Sequence, residues 1–392
     1  MADITQKIAG INFSSPFMVA AGPLTDRVDL IVEAAKNGAG AVSLKRTDFS
    51  QSKPGVRKMY AQRGNYFFNP SDRRLEMHET IRLIEQVKRR TDIPVFANIL
   101  ADGEDLQSWV ALGKAMEEAG ADALELNFAC PNPKAPSGSG TNKFGAAISR
   151  DTQLACSIIQ TMTSALSIPV WPKLSGEGID SASVAAAASK AGATGAVLFY
   201  SPRGAFPIDI YRGGRPRIAD LIQCSFGGIN GPAIREMSSR VIAEVALKLP
   251  DLPIIGGGGI SDFRHGVEKI MFGASLIFLL THLILEGIAE IRKMNEQLSR
   301  FMDENGYNTI QDMRGLALAH IIPNSELEPH IGPPAKIDAS CCVGCGICAK
   351  IATCRSITIT NGRAVVDEGQ CECCGLCASV CPCAAISFGK EV

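Results

Sequence analysis

Short apolar runs alternate with longer amphipathic stretches from Pro16 to about Arg300, and this alternation constrains the fold more than any other feature. The strand-like runs are FMVAAG, GAVSLK, PVFANIL, ALELNF, PVWPKLS, GAVLFY, LPIIGGG and ASLIFLL. Between most of them lie helix-like stretches such as LIVEAAKNG, LGKAMEEAG and SASVAAAASKAG, each ending in Gly, the usual C-terminal helix cap. Runs such as VWPKLS and AVLFY are apolar on both faces, as strands buried in a parallel sheet are.

Eight strand–helix units predict an α/β fold with a (β/α)8 TIM barrel, in which strand-tip residues are candidates for the site. A doubly wound sheet is the alternative. It would need a nucleotide signature after the first strand, where AAGPLT does not match G-x-G-x-x-G. We predict the barrel over residues 1–304 and a helical tail with a Pro-containing connector over residues 305–334. Behind Pro334 the composition changes abruptly to Cys and Gly, which predicts a separate domain over residues 335–392.

The cysteines are unevenly distributed, with three before residue 340 and eleven between Cys341 and Cys383. A disulfide scaffold would be short and secreted, whereas this chain has 392 residues and opens with the polar MADITQK. The longest apolar run, SLIFLLTHLIL, is too short to span a bilayer. The net charge of −1 gives no basic excess for a nucleic acid or a membrane surface. We therefore predict a cytoplasmic protein, with neither of these partners, whose cysteine cluster binds metal.

Two cysteine runs have the ligand spacing of iron–sulfur proteins. The first has the pattern C-x2-C-x2-C with a further cysteine after five residues: Cys342, Cys345, Cys348 and Cys354. The second has the pattern C-x2-C-x2-C-x3-C followed by proline: Cys371, Cys374, Cys377 and Cys381. This is the arrangement of a two-cluster bacterial ferredoxin, in which each [4Fe–4S] cluster takes its fourth thiolate from the other run.

This arrangement predicts which thiolates hold each cluster. Cluster I would use Cys342, Cys345, Cys348 and Cys381, and cluster II would use Cys371, Cys374, Cys377 and Cys354. In the first run Ala352 occupies the usual position of the fourth ligand, so the role of Cys354 depends on a local loop. Zinc is the alternative, although zinc sites usually use two C-x2-C pairs. We interpret the spare thiols as packing residues near the clusters: Cys341, Cys373 and Cys383.

A ferredoxin module transfers one electron at a time, so the barrel fused to it is expected to hold a centre that exchanges single electrons. A flavin does this and a nicotinamide does not. The segment IIGGGGISD follows the seventh predicted strand, and Thr281 ends the eighth. Gly-rich backbone at that corner of a barrel offers N–H groups to a phosphate. An ordinary strand-to-helix turn is the alternative.

Several motifs together resemble a known family: GINFSSPFMVAAGPLT, GADALELNFACPN, FGGINGPAIR, IIGGGGI and MDENGYNTIQDMRG. The barrel resembles dihydroorotate dehydrogenase. Barrel and ferredoxin segment together resemble the C-terminal half of dihydropyrimidine dehydrogenase, or the catalytic subunit of its bacterial two-subunit forms. The resemblance implies an FMN-binding oxidoreductase that acts on CH–CH groups.

The resemblance also implies flavin contacts, residue by residue. Ala21 and Gly22 would line the flavin, Lys45 would lie near its ring, Asn127 would contact flavin and substrate, and Lys173 would donate to N1 or the ribityl chain. The remaining implied contacts lie in glycine-rich loops and in the phosphate corner: Gly228, Gly231, Gly258, Gly259 and Thr281. A lysine inside an otherwise apolar strand needs a partner, unless it reaches from the strand end into water.

Cys130 matches the cysteine of N-x-x-C-P, which in the family exchanges a proton with the substrate on the side opposite flavin N5. A thiol suits this task because its reference pKa of roughly 8.5 is close to neutrality. The loop over residues 131–141 is rich in Pro, Gly and Ser and fits a mobile lid. The alternative is a cysteine that only packs at the strand end.

Five polar residues are predicted to contact the substrate: Asn69, Asn127, Asn132, Tyr200 and Ser201. The pyrimidine enzymes have Asn where this chain has Tyr200, and Tyr cannot offer the paired donor and acceptor of an amide. The departure leaves substrates other than uracil and thymine open, and Arg203 nearby could suit a carboxylate.

We therefore expect an FMN- and iron–sulfur-dependent oxidoreductase that adds or removes two hydrogens at an activated C=C bond of a small cyclic or conjugated substrate. Its electron partner would be a ferredoxin or a separate NAD(P)H/FAD reductase subunit, and the resemblance implies a homodimer or a larger complex. Three alternatives remain: a dihydropyrimidine dehydrogenase proper, an electron-relay flavoprotein subunit, and a tRNA uridine reductase. The net charge of −1 disfavours the last.

Overall fold

The computed structural model of the chain describes residues 2–49, 56–130, 143–199, 201–328, 332–351 and 353–389. The chain divides into two compact units, Met1–Ile321 and Ile322–Val392. The first unit includes residues 305–321 of the predicted tail and connector. Arg314 in this tail donates to three backbone carbonyls over 2.9–3.0 Å: those of Pro250, Leu252 and Gly273. The three-part division at residues 304 and 334 stays a prediction.

Eight parallel strands form a closed barrel in chain order, and the predicted fold class is confirmed. The strands are β1 Phe17–Val19, β2 Val42–Ser43, β3 Val95–Leu100, β4 Ala123–Phe128, β5 Val170–Ser175, β6 Ala196–Phe199, β7 Ile254–Gly257 and β8 Leu276–Leu279. Each pairs with the next, and β8 pairs with β1. The register places Glu125 beside Asn98 and Asn127 beside Lys173, so polar residues of β3, β4 and β5 are neighbours.

One main helix follows each strand. These helices are α1 Val28–Lys36, α2 Met77–Lys88, α3 Leu106–Glu118, α4 Thr152–Ala165, α5 Ser181–Lys190, α6 Arg235–Lys248, α7 Phe263–Met271 and α8 Glu290–Asn305. Aspartates begin four of them. In three, a carboxylate accepts the free N–H three residues on, over 3.0 Å each: Asp105, Asp151 and Asp180. In the fourth, Asp262 accepts the N–H of Arg264 over 2.8 Å. Within the described ranges, no helix is both long and apolar enough to cross a membrane.

Apolar side chains fill the amino-terminal end of the barrel. The ring centres of Phe96 and Trp171 lie 6.0 Å apart, and those of Phe13 and Phe96 lie 6.2 Å apart. Phe13 comes from an antiparallel hairpin, Gln6–Ile8 with Ile11–Phe13. Because this end is packed with aromatic and aliphatic groups, the polar side chains of the strands lie toward the carboxyl end.

A four-stranded antiparallel sheet is built from the loops after β2 and β6. In order, its strands are Arg203–Gly204, Gly227–Asn230, Tyr66–Ser71 and Lys58–Gln62. Loops that follow the strands lie at the carboxyl end of a barrel, so we name this sheet the cap sheet. Two short strands, Thr47–Asp48 and Leu75–Glu76, extend the barrel sheet beside β3.

Smaller elements complete the first unit. They are the strands Ile208–Asp209 and Arg215–Pro216, the helices Ala146–Arg150, Thr281–Glu286 and Ile310–Met313, and the 3-10 turns Ile210–Arg212, Pro232–Ile234 and Leu316–His320.

The second unit is built from two antiparallel strand pairs. Ala335–Ile337 pairs with Ile386–Phe388, and Ile357–Thr360 pairs with Arg363–Val366. Three short turns complete it: the helix Leu376–Ser379 and the 3-10 turns Cys348–Lys350 and Glu368–Gln370. Its buried apolar core, among the described residues, is small: Ala335, Ile357, Ala364, Cys377 and Ile386.

Candidate active site

Cys130 lies just beyond the end of β4, at the carboxyl end of the barrel. The side-chain Oδ1 of Asn127 accepts the backbone N–H of Cys130 over 3.0 Å and that of Ala129 over 3.3 Å. The Cys130 carbonyl accepts the N–H of Ala146 over 3.1 Å. The N-x-x-C spacing therefore forms a turn in which the asparagine side chain fixes the cysteine backbone.

A buried polar network continues from Asn127 into the barrel. Asn127 Nδ2 donates to Asn98 Oδ1 over 3.0 Å, and Asn98 Nδ2 donates to Glu125 Oε1. Lys173 Nζ donates to the same Glu125 oxygen over 2.9 Å. Glu125 is therefore the partner that the sequence analysis required for a lysine buried in this strand. Glu125 Oε2 has no hydrogen-bond partner among the described residues.

Lys45, the second predicted barrel lysine, is also paired. It forms an ion pair with Asp72, which also accepts from Arg57 Nε over 3.2 Å and from Asn69 Nδ2 over 3.4 Å. Arg57 further pairs with Asp26, whose side chain is fully buried. Burial lowers the pKa of Lys45, and the negative charge of Asp72 opposes that effect. The lysine is thus held inside a charged network and does not extend into water.

Arg46 contacts the sulfur of Cys130. Its Nη1 donates to Cys130 Sγ over 2.9 Å, while Nε and Nη2 donate to the two carboxylate oxygens of Asp48 over 2.8 and 2.7 Å. Burial lowers the pKa of the Arg46 guanidinium, but its interactions with Cys130 and Asp48 outweigh burial and raise that pKa above its ordinary value.

The predicted substrate residues fall into two groups. Asn69 stands opposite Gly228 in the cap sheet, and a Cβ built on Gly228 would lie 2.8 Å from Ser201 Oγ, so these three residues are neighbours. Asn69 Oδ1 is buried and has no hydrogen-bond partner in the part of the chain that the structure describes. Asn132, Tyr200 and the loop 131–141 lie outside the described residues.

Arg203, offered as a carboxylate ligand, lies on the exposed side of the cap sheet. Its guanidinium carbon is 5.7 Å from the centre of the Phe226 ring. This contact gives the arginine a structural partner, and its role toward a carboxylate stays a prediction.

The predicted phosphate residues meet at one corner, between β7 and β8. Gly258 and Gly259 follow β7 with φ of 108° and 79°, where a side chain is strained. A Cβ on Gly259 would lie 2.5 Å from Arg235, at the start of α6, and a Cβ on Gly231 would lie 3.3 Å from Thr281 Cγ2. A side chain at Gly231 or Gly259 would therefore meet the neighbouring segment, so glycine is needed at both positions.

Ala21 and Gly22 reach the same corner from β1, which is paired with β8. A Cβ on Gly22 would lie 2.5 Å from the side chain of Leu280, the residue before Thr281. The first strand tip therefore packs directly against the end of the eighth.

These residues fit a bound flavin. Lys173 Nζ has three N–H donors, and Glu125 accepts one of them among the described residues, which leaves donors for a ring nitrogen or a ribityl oxygen. The positive φ values of Gly258 and Gly259 suit the glycine-rich backbone that binds a phosphate. A cation beside a flavin that becomes anionic on reduction is also electrostatically favourable.

Thiols gather around one pocket in the second unit. Six cysteines line it: Cys348, Cys354, Cys371, Cys373, Cys374 and Cys377. Four of these are the predicted ligands of cluster II, and the late-placed Cys354 is among them. Ser356 Oγ lies 3.1 Å from Cys354 Sγ, and hydrogen bonding from Ser356 lowers the pKa of this thiol, which favours the thiolate that binds metal.

Backbone N–H groups also point at predicted cluster ligands. Ala364 N donates to Cys342 Sγ over 3.5 Å, and Ala385 N donates to Cys381 Sγ over 3.3 Å. Hydrogen bonds to sulfur are one of the features that set the potential of an iron–sulfur cluster. Of the spare thiols, Cys373 donates to the carbonyl of Gly332 over 2.9 Å.

No three Cys, His, Asp or Glu side chains of the described residues converge on a position for a single metal ion. In a [4Fe–4S] cluster each thiolate binds a different iron, so its sulfurs surround a larger group than one ion. The donor set, thiols only and from both runs, suits such a cluster, and the ligand assignments stay predictions.

Four residues of the site were missed by the sequence analysis: Arg46, Asp72, Asn98 and Glu125. Asn98 and Glu125 are polar residues inside otherwise apolar strands, which is a usable signal for a site inside a barrel. Asp72 and Arg46 carry no such signal, because charged residues in loops are ordinarily solvated.

A closed barrel that holds a cysteine, an asparagine and two paired lysines at its carboxyl end defines the class, an oxidoreductase built on a (β/α)8 barrel. The family model of dihydroorotate dehydrogenase matches residues 3–302. The chain belongs to this family, whose members bind FMN, and it is an oxidoreductase that acts on CH–CH groups.

Known relatives agree with this assignment. The chain is 33% identical over 318 residues to the catalytic subunit of dihydroorotate dehydrogenase B (NAD(+)) of Thermoplasma acidophilum, covering 81% of this chain and 100% of the relative. The corresponding subunit of Pyrococcus furiosus is 30% identical over 315 residues, with 79% and 97% covered. The NAD-dependent dihydropyrimidine dehydrogenase subunit PreA of Escherichia coli K12 is 25% identical over 356 residues, with 88% of this chain and 84% of the relative covered. The 88% of this chain that this alignment covers is longer than residues 1–334, so the alignment extends into the cysteine-rich segment.

Proposed function

We propose that the protein is an FMN- and iron–sulfur-dependent oxidoreductase that adds or removes two hydrogens at an activated C=C bond of a small cyclic or conjugated substrate. One observation carries the proposal. Cys130 is fixed by Asn127 at a strand tip, and Asn127 is linked through Asn98 and Glu125 to Lys173. The backbone of the residue that carries the acid–base thiol, an amide and a barrel cation are thus joined in one hydrogen-bonded network.

The chain's own residues would contact the ring and ribityl chain of FMN, its surroundings at the first strand tip and the glycine loops, and its phosphate. Lys45, Asn127 and Lys173 would face the ring and the ribityl chain. Backbone of the first strand tip and the glycine loops would hold the rest, with the phosphate at the corner: Ala21, Gly22, Gly228, Gly231, Gly258, Gly259 and Thr281. When bound, the flavin supplies the hydride donor or acceptor.

Cys130 would hold or take up the proton at Sγ. Reduction of a C=C bond delivers hydride to one carbon and a proton to its neighbour, so an acid–base group must face the substrate opposite the hydride. The buried, unpartnered Oδ1 of Asn69 suits an N–H donor of a cyclic amide, and Ser201 lies beside it. Asn127 and, at the positions that the structure does not describe, Asn132 and Tyr200 complete the proposed substrate set.

Two [4Fe–4S] clusters in the second unit would relay electrons one at a time. Their proposed ligands are Cys342, Cys345, Cys348 and Cys381 for one cluster and Cys371, Cys374, Cys377 and Cys354 for the other. The relatives are named as subunits, which supports a ferredoxin or a separate NAD(P)H/FAD reductase subunit as the electron partner of this chain. A homodimer or larger complex in the cytoplasm is part of the same proposal.

Turnover of uracil or thymine is the second candidate. The match to the dihydropyrimidine dehydrogenase subunit favours it, because that match extends into the cysteine-rich segment. Tyr200, which replaces the amide of the pyrimidine enzymes, argues against it.

The test is flavin re-oxidation under anaerobic conditions. The purified holoenzyme is reduced, mixed with uracil, thymine, orotate or one of a panel of unsaturated carboxylates, and followed by flavin absorbance. We expect rapid re-oxidation by at least one compound. In Cys130→Ser, the rate should fall by about 10²–10⁴, because a hydroxyl is a far weaker acid than a thiol.

The panel separates the candidates. Re-oxidation by uracil or thymine establishes the pyrimidine activity, and re-oxidation only by another compound names a different substrate class. If no compound of the panel re-oxidises the flavin while flavin and clusters are intact, and if electron transfer is retained in Cys130→Ser, the electron-relay function is the correct one.

A further inference from the structure

The sulfur of Cys130 is in direct contact with a buried cation. Arg46 Nη1 donates to Cys130 Sγ over 2.9 Å, and the Arg46 side chain is only 7% exposed. An arginine this deeply buried ordinarily serves a fixed partner, because its desolvation is costly when the charge is unpaired. Cys130 is one of its two partners among the described residues.

The other partner, Asp48, fixes the direction of the guanidinium. Both carboxylate oxygens of Asp48 accept from Arg46, so the planar group is held by a bidentate pair. Asp48 belongs to a short strand that pairs with the end of β3, Asp48 beside Leu100. The guanidinium is therefore supported by the barrel sheet itself, and its remaining Nη1 is directed at the sulfur.

Two other cations lie within electrostatic range of Cys130. Lys45 is neutralised by Asp72, with which it forms a close ion pair. Arg74 has its ion-pair partner Asp48 at 3.7 Å and is 27% exposed. Of the three cations, Arg46 is the one that hydrogen-bonds the sulfur in the part of the chain that the structure describes. The charged group in contact with Cys130 is thus a cation, and Asp48 and Asp72 are paired with the cations.

We propose that Arg46 is a positioning residue for Cys130: it orients the sulfur and stabilises negative charge on it. A hydrogen-bonding cation beside a cysteine favours the thiolate over the thiol. A sulfur that carries negative charge can take up a proton, so the contact suits Cys130 to the proton-accepting role. This inference rests on the proposed function, in which Cys130 is the acid–base group.

The contact also explains why Arg46 follows Lys45 directly. Lys45 ends the run after β2 and pairs with Asp72, while the next residue contacts Cys130. One short segment thus supplies two cations with different partners. One serves the proposed flavin edge and the other serves the acid–base group.

The test is the reactivity of the sulfur, read without turnover. Oxidised holoenzyme without substrate is treated with iodoacetamide between pH 5.5 and 9.5, and alkylation of the peptide that contains Cys130 is measured by mass spectrometry. We expect Arg46→Gln to move the alkylation profile to higher pH and to slow alkylation at pH 7 about tenfold, because the thiolate is the reactive form. Arg46→Lys should recover part of the rate.

Arg74→Gln is the matched control, because it removes the same charge from the same neighbourhood without removing a contact to sulfur. It should slow alkylation by no more than about threefold, as expected for a partly exposed charge. An equal effect of Arg74→Gln and Arg46→Gln, or an unchanged profile in Arg46→Gln, would overturn the proposal.

Two further variants control for the possibility that Arg46→Gln fails to fold. Arg46→Gln combined with Asp48→Asn removes both charges and leaves no unpaired carboxylate, and Asp48→Asn alone loosens the guanidinium while keeping its charge. The double variant should behave as Arg46→Gln, and Asp48→Asn should be intermediate. Flavin re-oxidation that survives Cys130→Ser would contradict the proposed function, whereas the alkylation profiles judge the contact with Arg46 independently.

Discussion

The two units of the chain reach a folded state by different means. The first has a continuous apolar core that includes strand residues such as Phe17 and Ile277 and helix residues such as Leu112 and Ile291, all fully buried. The second has one small cluster of five buried apolar residues among those described, and one of them is the predicted cluster ligand Cys377. A small unit with so little apolar surface to bury usually needs a metal or disulfides. The hydrophobic pattern of the sequence therefore specifies the barrel, whereas the thiols specify the fold of the second unit.

Backbone strain is distributed in the same unequal way. Of six non-glycine residues at positive φ in the described chain, four lie in the smaller second unit: Arg355, Asn361, Cys373 and Ala384. Such conformations are costly for most side chains and persist where the surroundings impose them. Cys373 and Arg355 line the pocket of thiols, so a bound cluster is the group that would impose their conformations.

Iron removal is expected to give the largest difference between the two units, measured as hydrogen-exchange protection. Treatment with a chelator and a mild oxidant should remove the clusters that compensate for the small apolar core of the second unit. The backbone amides of this unit should then lose nearly all their protection from hydrogen exchange. The barrel amides should keep theirs. Hydrogen-exchange mass spectrometry of the same sample measures both, with untreated protein as the control. If the second unit kept its protection after complete loss of iron, its fold would not depend on clusters.

The barrel was accessible from sequence because its signals are local. All eight predicted runs became barrel strands, since continuous apolar character and helix caps are written within a few residues of each element. The pairing of Asn127 with Lys173 depends on the register of the sheet, which cannot be predicted from a local sequence pattern. The contact between Arg46 and Cys130 joins residues 84 positions apart and depends on the closure of the barrel, so it could not be predicted.

The ligand loops of the second unit offer a narrower test. Gly344, between Cys342 and Cys345, has φ of 67°, and a Cβ there would lie 1.9 Å from the carbonyl oxygen of Gly362. Gly344→Ala should therefore displace this loop and remove the cluster that it holds, about half of the bound iron if two equal clusters are present. Iron analysis and the visible absorbance of the purified variant measure the loss.

Gly375→Ala is the control, because Gly375 has a similar φ of 78° in the second run, but no atom of the described residues lies within 4 Å of an added Cβ. It carries the conformational strain, on the order of 1–2 kcal/mol, without the collision. It should keep most of its iron. Equal iron loss in both variants would show that backbone strain, and not the contact with Gly362, controls the loop.

The smallest effect is expected in the barrel, where one buried amine has no carboxylate partner at hydrogen-bond distance among the described residues. Lys269 is fully buried, and its Nζ donates to the carbonyl of Arg235 over 2.8 Å and to Ser239 Oγ over 2.9 Å. Burial lowers the pKa of Lys269 from 10.5 to about 7. Below pH 7 the amine is protonated in both states, and the folded barrel carries the full cost of the buried charge.

Between pH 7 and 10.5 the unfolded chain binds the proton that the folded chain has lost, so the free energy of unfolding rises with pH across this window. Lys269→Met should therefore stabilise the barrel at pH 6, by on the order of a few kcal/mol, and the gain should shrink toward pH 9.5. Urea unfolding followed by fluorescence measures the barrel alone, because Trp109 and Trp171 are both in the first unit. Exposed Lys190→Met controls for the loss of a lysine as such. A stability difference that stayed constant from pH 6 to pH 9.5 would mean that Lys269 is charged in the folded barrel throughout, held by its two oxygen acceptors.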